Sequence, residues 1–531
     1  MPQMVLLSHK RWKNAYTFTI NMVINQLKAG AFLSYVSIAL NNVLGLLYIP
    51  FMLRMMGQNE YGLYSLVASV VAYLTVLDLG FANAIVRYTA KFRAENKINE
   101  QYEMFGMFFI LYCGIGIIAL LVGFGLFFNV DSLFDTTMTA ADLDKVRIMM
   151  LLLMFNLAFT FPMSVWGAII TAYENFVFQR LVSIVRTILN TTIMIVLLYM
   201  GYKAIAMVVL ITTFNVVTLC VNAWYCRHKL HIKVKFTHFK WGVFREVGIY
   251  SFWIFLNAIM DRIYWSTGQF VLGIYKGVAV VAVYAVAIQL QQIYMMFSTA
   301  ISGVFLPKVT AMVAKGNDEK AISDLFIRTG RIQYIIMAFI LTGFIVFGQS
   351  FIRLWAGEDY HEAFTIALLF FVPLTIPLIQ NLGITILQAR NQMKFRSILY
   401  VVIAIASLGV SLPLAKMYGG IGCAIGTALA LTAGQIVAMN IYYYKKIHID
   451  IPLFWKEIFQ MSLVPALVGL AFILLNTYFQ VHYTIPTFIG GITLFACCYI
   501  PLFWRYSMNT SERRLFSGPV NALINRVGLK I

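Results

Sequence analysis

The sequence has few charged residues for its length. Only 11% of its 531 residues are Asp, Glu, Lys or Arg, whereas 61% are hydrophobic. A soluble domain carries about 25% charged residues, so this chain has too few to cover a water-facing surface. The shortage excludes a soluble enzyme, a disordered scaffold and a conventional nucleic-acid-binding protein. It indicates a polytopic membrane protein.

Acidic residues, cysteine motifs and catalytic signatures are also scarce. Asp and Glu number 21 against 40 Lys and Arg, a formal net charge of +19. In a membrane protein such an excess usually reflects basic cytoplasmic loops. The six cysteines show no metal-binding spacing and are expected to be small core residues. Since no metalloprotease, serine-hydrolase or nucleotide-binding signature is present, we expect no metal site, no cofactor and no direct use of ATP.

What the sequence has in abundance is long apolar runs. A helix needs about 20 predominantly apolar residues to cross a bilayer, and fourteen such runs occur, with no soluble domain between them. The sequence therefore predicts an all-α integral membrane protein with 14 transmembrane helices. The runs lie near residues 30–53, 61–86, 104–128, 148–171, 181–200, 204–225, 248–272, 278–305, 332–352, 364–388, 397–415, 420–443, 459–478 and 485–504.

The basic residues predict how these helices are oriented. When the chain is threaded through fourteen spans, 31 Lys and Arg residues lie on the side of both termini and seven on the other side. The remaining two, Arg186 and Arg262, fall within spans. Because cytoplasmic loops are enriched in Lys and Arg, we expect a multi-pass protein with cytoplasmic N- and C-termini. No cleavable signal peptide is recognised in the first 28 residues, so the first span is expected to direct insertion.

An internal repeat divides the chain into two halves. Asn41 and Arg180 recur 216 residues later as Asn257 and Arg396, and further matches keep the same offset without a gap. The alternative is chance matching of apolar segments. A repeat of six spans is parallel, and such transporters place their substrate between the two halves. The predicted domains are a cytoplasmic segment 1–29, pseudo-symmetric six-helix bundles at 30–230 and 231–447, two extra C-terminal helices within 448–505 and a cytoplasmic tail 506–531.

Short motifs in a fixed order resemble those of a known family. The first half contains Tyr61-Gly62-Leu63-Tyr64, Leu77-Asp78-Leu79-Gly80-Phe81 and Arg87-Tyr88. The second half contains Tyr284-Ala285-Val286-Ala287, Leu354-Trp355-Ala356-Gly357 and Ala389-Arg390-Asn391. Over roughly residues 30 to 450 the chain resembles bacterial polysaccharide exporters. In particular, it resembles the Wzx-like lipid-linked oligosaccharide flippases of the multidrug/oligosaccharidyl-lipid/polysaccharide exporter (MOP) superfamily.

The resemblance implies a function and a location. It implies a transporter, not an enzyme, that moves undecaprenyl-pyrophosphate-linked glycan repeat units from the cytoplasmic to the periplasmic leaflet of the bacterial inner membrane. It implies two bundles in a V shape around a cationic cavity, and alternating access. Membrane lipids, the lipid-linked glycan and glycan polymerase or export machinery are the implied partners, without nucleic acid. The family has no short catalytic signature, so no functional residue is carried over from it.

Charged residues inside the predicted spans are the first site candidates. A charge at the centre of a spanning helix costs about 2.5–3.5 kcal/mol on insertion scales, so such residues usually face a cavity or a partner. Arg262 is predicted to bind the pyrophosphate, because its planar guanidinium can donate two parallel hydrogen bonds to phosphate oxygens. A closed internal ion pair is the alternative. Arg186 is predicted either to line the cytoplasmic mouth of the cavity or to snorkel to the headgroups.

The remaining candidates are carboxylates and amides. Asp78 is either a protonation site for ion coupling or a structural hydrogen-bond acceptor. The same two roles, ion coupling or structural hydrogen bonding, are predicted for Asp261. Amides suit sugar hydroxyls but also link helices to one another. The amide candidates for substrate binding are Asn41, Asn257, Gln289 and Gln292.

Other functions stay open from the sequence. A cation-coupled multidrug or metabolite exporter of the same superfamily is the main alternative. An integral-membrane polymerase, ligase or glycosyltransferase is disfavoured because no large loop carries catalytic residues, and a channel is disfavoured by the repeat. The two extra C-terminal helices could form a groove for the polyprenyl tail or could serve packing alone.

Overall fold

The protein is helical throughout its described part. The computed structural model describes residues 36–236, 241–302, 319–390, 392–481 and 483–515, with a few isolated further positions. Every regular element in these ranges is a helix, and none of them contains a strand. The predicted all-α fold is therefore confirmed.

Helix length and apolarity show that the chain is a multi-pass membrane protein. Within the described residues, twelve helices are long and apolar enough to cross a membrane. The predicted count of fourteen differs from this number in two places. The helix Trp241–Lys276 covers the predicted seventh span but is not among the twelve. The 53-residue helix Met393–Lys445 covers two predicted spans at once. The count of fourteen therefore stays a prediction.

The chain forms two compact units. The first is Met1–Arg262 with Gly277–Ala279, and the second is Ile263–Lys276 with Val280–Ile531. The division falls within the helix Trp241–Lys276 instead of in a loop. The predicted domain boundaries at residues 230 and 447 remain predictions.

The first unit is built around one central helix. Its long helices are α1 (Phe32–Met56), α2 (Gln58–Ala94), α3 (Ile98–Phe128), α4 (Ala140–Ala172), α5 (Phe176–Tyr199) and α6 (Ala204–His228). Helix α4 packs against α2, α3 and α6, and buries Met149, Phe161 and Ile169 among them. Its start is fixed by the Thr139 side chain, which accepts a hydrogen bond from the Asp142 N–H, as helix N-caps commonly do.

Helix α2 is broken near the middle of its length. After Leu74 the chain tightens into a 3-10 turn, Thr75–Asp78, and the α-helix resumes at Phe81. Between them Leu79 and Gly80 have φ angles of 54° and 69°, in the left-handed region. Gly80 adopts this conformation at low cost because it has no Cβ atom, whereas Leu79 is strained there. The break leaves backbone groups beside Asp78 outside the regular helical hydrogen-bond pattern.

The second unit is organised around a long helix at its centre. Its helices are α7 (Trp241–Lys276), which crosses the division, α8 (Val278–Ser302), α9 (Glu319–Trp355), α10 (Glu362–Ile379), α11 (Met393–Lys445), α12 (Ile451–Tyr478) and α13 (Ile485–Tyr506). Helix α9 packs against α10, α12 and α13. Helix α11 is kinked at Gly419, where φ is 61° and ψ is −137°.

Helices α12 and α13 are fastened to α9 by a buried ion network. Arg331 of α9 donates to both carboxylate oxygens of Glu512, at 2.6 and 2.9 Å, and also pairs with Glu457 of α12. The Arg331 guanidinium also donates to the Ser507 carbonyl at 3.3 Å. The side chains of Arg331 and Glu512 are only 8% and 2% exposed. The segment that follows α13 is therefore part of the packed second unit.

Candidate functional site

The break in α2 places a carboxylate beside a buried tyrosine. The Tyr112 hydroxyl of α3 donates to Asp78 Oδ1 at 2.8 Å. Tyr112 is fully buried, and its ring contacts Phe81 and stacks on Phe161 of α4, with centroids 5.9 and 6.3 Å apart. Asp78 itself is half-buried. Irregular backbone at membrane depth is tolerated where protein buries it or where it lines a water-filled cavity, and broken helices often carry transporter binding sites.

The arrangement at Asp78 is compatible with both roles predicted for it, the structural one and the ion-coupling one. The Tyr112 hydrogen bond links α3 to the broken segment of α2, which is a structural role. The Asp78 carboxylate also accepts a hydrogen bond from the Gly80 backbone N–H, so both of its donors are neutral groups. No cation among the described residues forms an ion pair with it. The sequence motif around Asp78 pointed to this residue, but nothing in the sequence identified Tyr112 as its partner.

Arg262 and Asp261 lie next to each other on α7, and both are exposed. Within the described part of the chain, Arg262 makes no hydrogen bond or ion pair. Asp261 has a partner of its own. The alternative of a closed ion pair that uses up the Arg262 charge thus finds no support among the described residues. An exposed guanidinium keeps all five of its N–H donors available to a ligand.

Arg186 is half-buried in α5 and forms no ion pair with another described residue. Its long side chain is therefore not committed to a protein carboxylate in that part of the structure. Both predicted roles, at a cavity mouth or at the headgroups, require such an uncommitted guanidinium.

The amide candidates differ in their exposure and in the hydrogen bonds that their side chains make within the protein. Asn41 is exposed, and its Nδ2 donates to the Ser37 carbonyl within α1 at 2.9 Å. Gln289 is half-buried and Gln292 is exposed. The side chain of Asn257 lies outside the described residues. Exposed amides retain donors and acceptors for a ligand such as a sugar hydroxyl.

Gln380, in contrast, links helices within the second unit. Its Nε2 donates to Asn440 Oδ1 at 2.9 Å, and Asn440 Nδ2 donates back to Gln380 Oε1 at 3.3 Å. Trp455 of α12 adds its indole N–H to Asn440 Oδ1 at 3.1 Å. This amide pair therefore joins the end of α10 to α11 and α12.

The structure brings only some of the candidates into contact. Asp78 is joined to Tyr112. Within the first unit, no hydrogen bond or ion pair between described residues links Asn41, Arg186 and Arg262 to one another. The clusters that sequence reasoning missed are Glu60 with Lys145 and Arg331 with Glu457 and Glu512. The paired residues lie 85 to 181 positions apart in the sequence, so no local motif could predict that they would meet. Among the described residues no cluster of His, Cys, Asp and Glu could hold a metal ion.

Known proteins resemble this chain in sequence and in fold. A family model described as "Polysaccharide biosynthesis protein" matches residues 27–313. A Shigella flexneri protein described as a candidate O-antigen transporter is 20% identical over 405 residues, which cover 74% of this chain and 92% of that protein. These matches confirm the resemblance to polysaccharide exporters that the sequence motifs predicted.

Two solved structures show the same fold. Lipid II flippase MurJ, in an inward closed conformation, superimposes with a TM-score of 0.68 at 16% identity over 90% of this chain and 98% of MurJ. An inward-facing multidrug resistance MATE family transporter of the MOP superfamily superimposes with a TM-score of 0.59 at 14% identity, over 78% of this chain and 99% of that transporter.

Proposed function

The chain belongs to the polysaccharide biosynthesis protein family, and on that premise we propose that it flips a lipid-linked glycan across the bacterial inner membrane. It is a flippase-like membrane transporter of the MOP superfamily and not an enzyme. The proposed cargo is an oligosaccharide repeat unit on undecaprenyl pyrophosphate. It would enter from the cytoplasmic leaflet and leave to the periplasmic leaflet by alternating access through a cationic cavity.

The strongest support for this proposal is the agreement between the family match and the matched relative. The family match extends over more than half of the chain and coincides with a relative, described as a candidate O-antigen transporter, that is matched over 92% of its length. The MurJ-like fold supports the same class of cargo, because the MurJ structure is described as a lipid II flippase. Lipid II and the proposed cargo share a sugar headgroup on a lipid carrier.

In the proposed mechanism, cationic side chains hold the anionic headgroup. Arg262 binds the pyrophosphate. Its guanidinium is exposed and has no ion-pair partner among the described residues, so it could contact the phosphate through two parallel hydrogen bonds. Arg186 adds a second positive charge. The sugar hydroxyls are bound by amides, for which we propose Asn41, Asn257, Gln289 and Gln292. The polyprenyl chain stays in the lipid, so the protein has to shelter only the polar headgroup.

Asp78 is proposed as the ion-coupling residue. Its carboxylate lies at a helix break, where a change of protonation would alter its hydrogen bond with Tyr112 and so the link between α2 and α3. A proton or other cation bound there could thereby bias the first unit between two conformations. Asp261, the neighbour of Arg262, is the second candidate for this role.

A deletion strain tests the proposal. Loss of the gene should cause undecaprenyl-linked glycan to accumulate on the cytoplasmic side, and the wild-type gene should relieve the accumulation. Arg262→Ala should restore transport poorly and Arg262→Lys only in part, because Lys is not a bidentate donor. Lys416→Ala, at an exposed lysine of α11, is the matched control and should restore transport fully. Full rescue by Arg262→Ala would remove Arg262 from the site.

A cation-coupled multidrug or metabolite exporter is the second candidate, supported by the fold shared with the MATE family transporter. If the deletion strain accumulated no lipid-linked intermediate but became sensitive to cationic drugs, the second candidate would replace the first. Glycan polymerase or export machinery is a proposed partner only under the flippase function.

A further inference from the structure

A groove lies at one end of the first unit, apart from the residues proposed to bind cargo. It is formed by the ends of α2, α4, α5 and α6, and its volume is about 650 Å³. This size falls in the range of about 300–1,000 Å³ that is typical of ligand pockets. The apolar part of its wall comes from Leu197 of α5 and from Ile205, Val209 and Leu210 of α6. A long apolar chain would fit the character of this wall.

One end of the groove is polar and preformed. Glu60 is buried there, pairs with Lys145 Nζ at 2.5 Å and accepts the Ala204 N–H at the start of α6 at 3.3 Å. The Asn59 side chain next to it donates to Asp142 at 3.1 Å. These bonds fix the ends of α2, α4 and α6 relative to one another. The polar end is therefore held in place without a ligand.

Among the residues that line the groove, the cations outnumber the carboxylates. The groove is lined by two lysines, Lys145 and Lys203, but by a single carboxylate, Glu60. Glu60 is already engaged by Lys145, whereas Lys203 is exposed and forms no ion pair with any residue that the structure describes. Tyr202, next to Lys203, is 54% exposed, and tyrosine is typical of the membrane–water interface. An anion at the level of the headgroups would complement this excess of positive charge.

We propose that this groove is a binding site for an anionic phospholipid of the outer leaflet. The phosphate contacts Lys203 at the polar end, and one acyl chain lies along Leu197, Val209 and Leu210. The predicted orientation places the α5–α6 connection, and with it Lys203, on the side opposite the termini. A bound lipid would hold this connection against α2 and α4. The proposal does not depend on the identity of the cargo.

Native mass spectrometry of the full-length protein tests the site directly. The protein is released from mixed micelles that contain phosphatidylglycerol, phosphatidylethanolamine or undecaprenyl phosphate. We expect one phosphatidylglycerol molecule to be retained in preference to phosphatidylethanolamine. Lys203→Gln should weaken this retention about fivefold, since one basic residue near the surface of an anionic membrane contributes about that factor. Lys416→Gln, at an exposed lysine of the second unit, should leave retention unchanged.

A second pair of variants tests the apolar wall. Val209→Trp fills the groove and should abolish the retained lipid. Val217→Trp, at another exposed valine of α6 that does not line the groove, should have no effect. Thermal unfolding checks that both variants fold. Equal retention of the two phospholipids, full retention by Lys203→Gln or by Val209→Trp, or stronger retention of undecaprenyl phosphate than of phosphatidylglycerol would each overturn the proposal. Because cargo accumulation is not the readout, this test can fail while the proposed function stands.

Discussion

At the scale of single residues, the hydrogen bond between Tyr112 and Asp78 is the most informative contact in the first unit. It spans 2.8 Å between α3 and the broken segment of α2, and the phenol that donates it is fully buried. The half-buried Asp78 carboxylate has given up part of its contact with water, and this costs free energy. Loss of the Tyr112 hydroxyl would remove a hydrogen bond that offsets the cost. The contact should therefore matter to stability, whereas the titration of Asp78 should matter to transport. Two substitutions separate these effects.

Tyr112→Phe removes the hydroxyl and keeps the ring. We expect it to destabilise the protein by about 1–3 kcal/mol, because the Asp78 carboxylate loses a hydrogen-bond donor. A lower midpoint of thermal unfolding in detergent measures the effect. Tyr444→Phe, at an exposed tyrosine of α11, is the matched control and should leave the midpoint unchanged. An equal midpoint for both variants would show that the Tyr112 hydroxyl does not support the break in α2.

Asp78→Asn keeps an oxygen that can accept from Tyr112 but cannot gain or lose a proton. If Asp78 couples transport to an ion, this variant should fold normally and yet transport poorly, with a flatter dependence of transport on pH than the wild type. Clearance of lipid-linked glycan in the deletion strain, together with the unfolding midpoint, gives both readouts. Wild-type transport by Asp78→Asn would leave the carboxylate with a structural role alone.

At the scale of helices, the ion network of Arg331 decides how α12 and α13 are held. It contains one cation and two carboxylates, of which Glu512 is 2% exposed and Glu457 is 33% exposed. Removing the cation would leave two carboxylates close together without a counter-charge, and one of them, Glu512, is buried. Removing one carboxylate would leave a neutral pair. The three residues should therefore differ in how strongly their loss destabilises the second unit.

We expect the order Arg331→Met, then Glu512→Gln, then Glu457→Gln, from most to least destabilising. Breaking a buried ion pair by removal of one partner costs about 3–5 kcal/mol, and Arg331→Met should reach that range. The unfolding midpoint and the protease sensitivity of the segment after α13 measure the order. Arg328→Met, at an exposed arginine of α9, is the control. Equal effects of Arg331→Met and Arg328→Met would contradict a structural role for the network.

This network also shows why helices could be predicted from the sequence but their partners could not. The thickness of the bilayer sets the length of an apolar run, so local composition was enough to predict α3 or α13. Arg331 directly precedes the predicted span 332–352, so the same local reasoning places it in a basic loop. Its partners lie 126 and 181 residues away, and which helices become neighbours is decided by packing across the whole unit. For the same reason the motif identified Asp78 but not Tyr112.

At the scale of the whole molecule, the number of membrane crossings decides on which side the C-terminus lies. That number depends on whether α7 crosses the membrane and on whether α11 crosses it once or twice. A straight helix of the 53 residues of α11 would be about 80 Å long at 1.5 Å per residue, whereas the hydrocarbon core is about 30 Å thick. Gly419, with its φ of 61°, is the residue within α11 that departs from helical geometry. We infer that α11 crosses the membrane twice and turns next to Gly419.

If α11 turns there, residues just before Gly419 face the outside of the cell. In a variant without the native cysteines, Lys416→Cys should react with a membrane-impermeant maleimide in intact cells, since Lys416 is exposed. Arg514→Cys, in the exposed segment after α13, should react only after the membrane is opened, because the excess of basic residues on its side predicts a cytoplasmic location. Labelling of Arg514→Cys but not of Lys416→Cys in intact cells would show that the orientation is the reverse of the predicted one. The lipid groove would then lie at the inner leaflet. Failure of both to react in intact cells would mean that Lys416 does not face the outside, so that α11 does not turn at the outer surface.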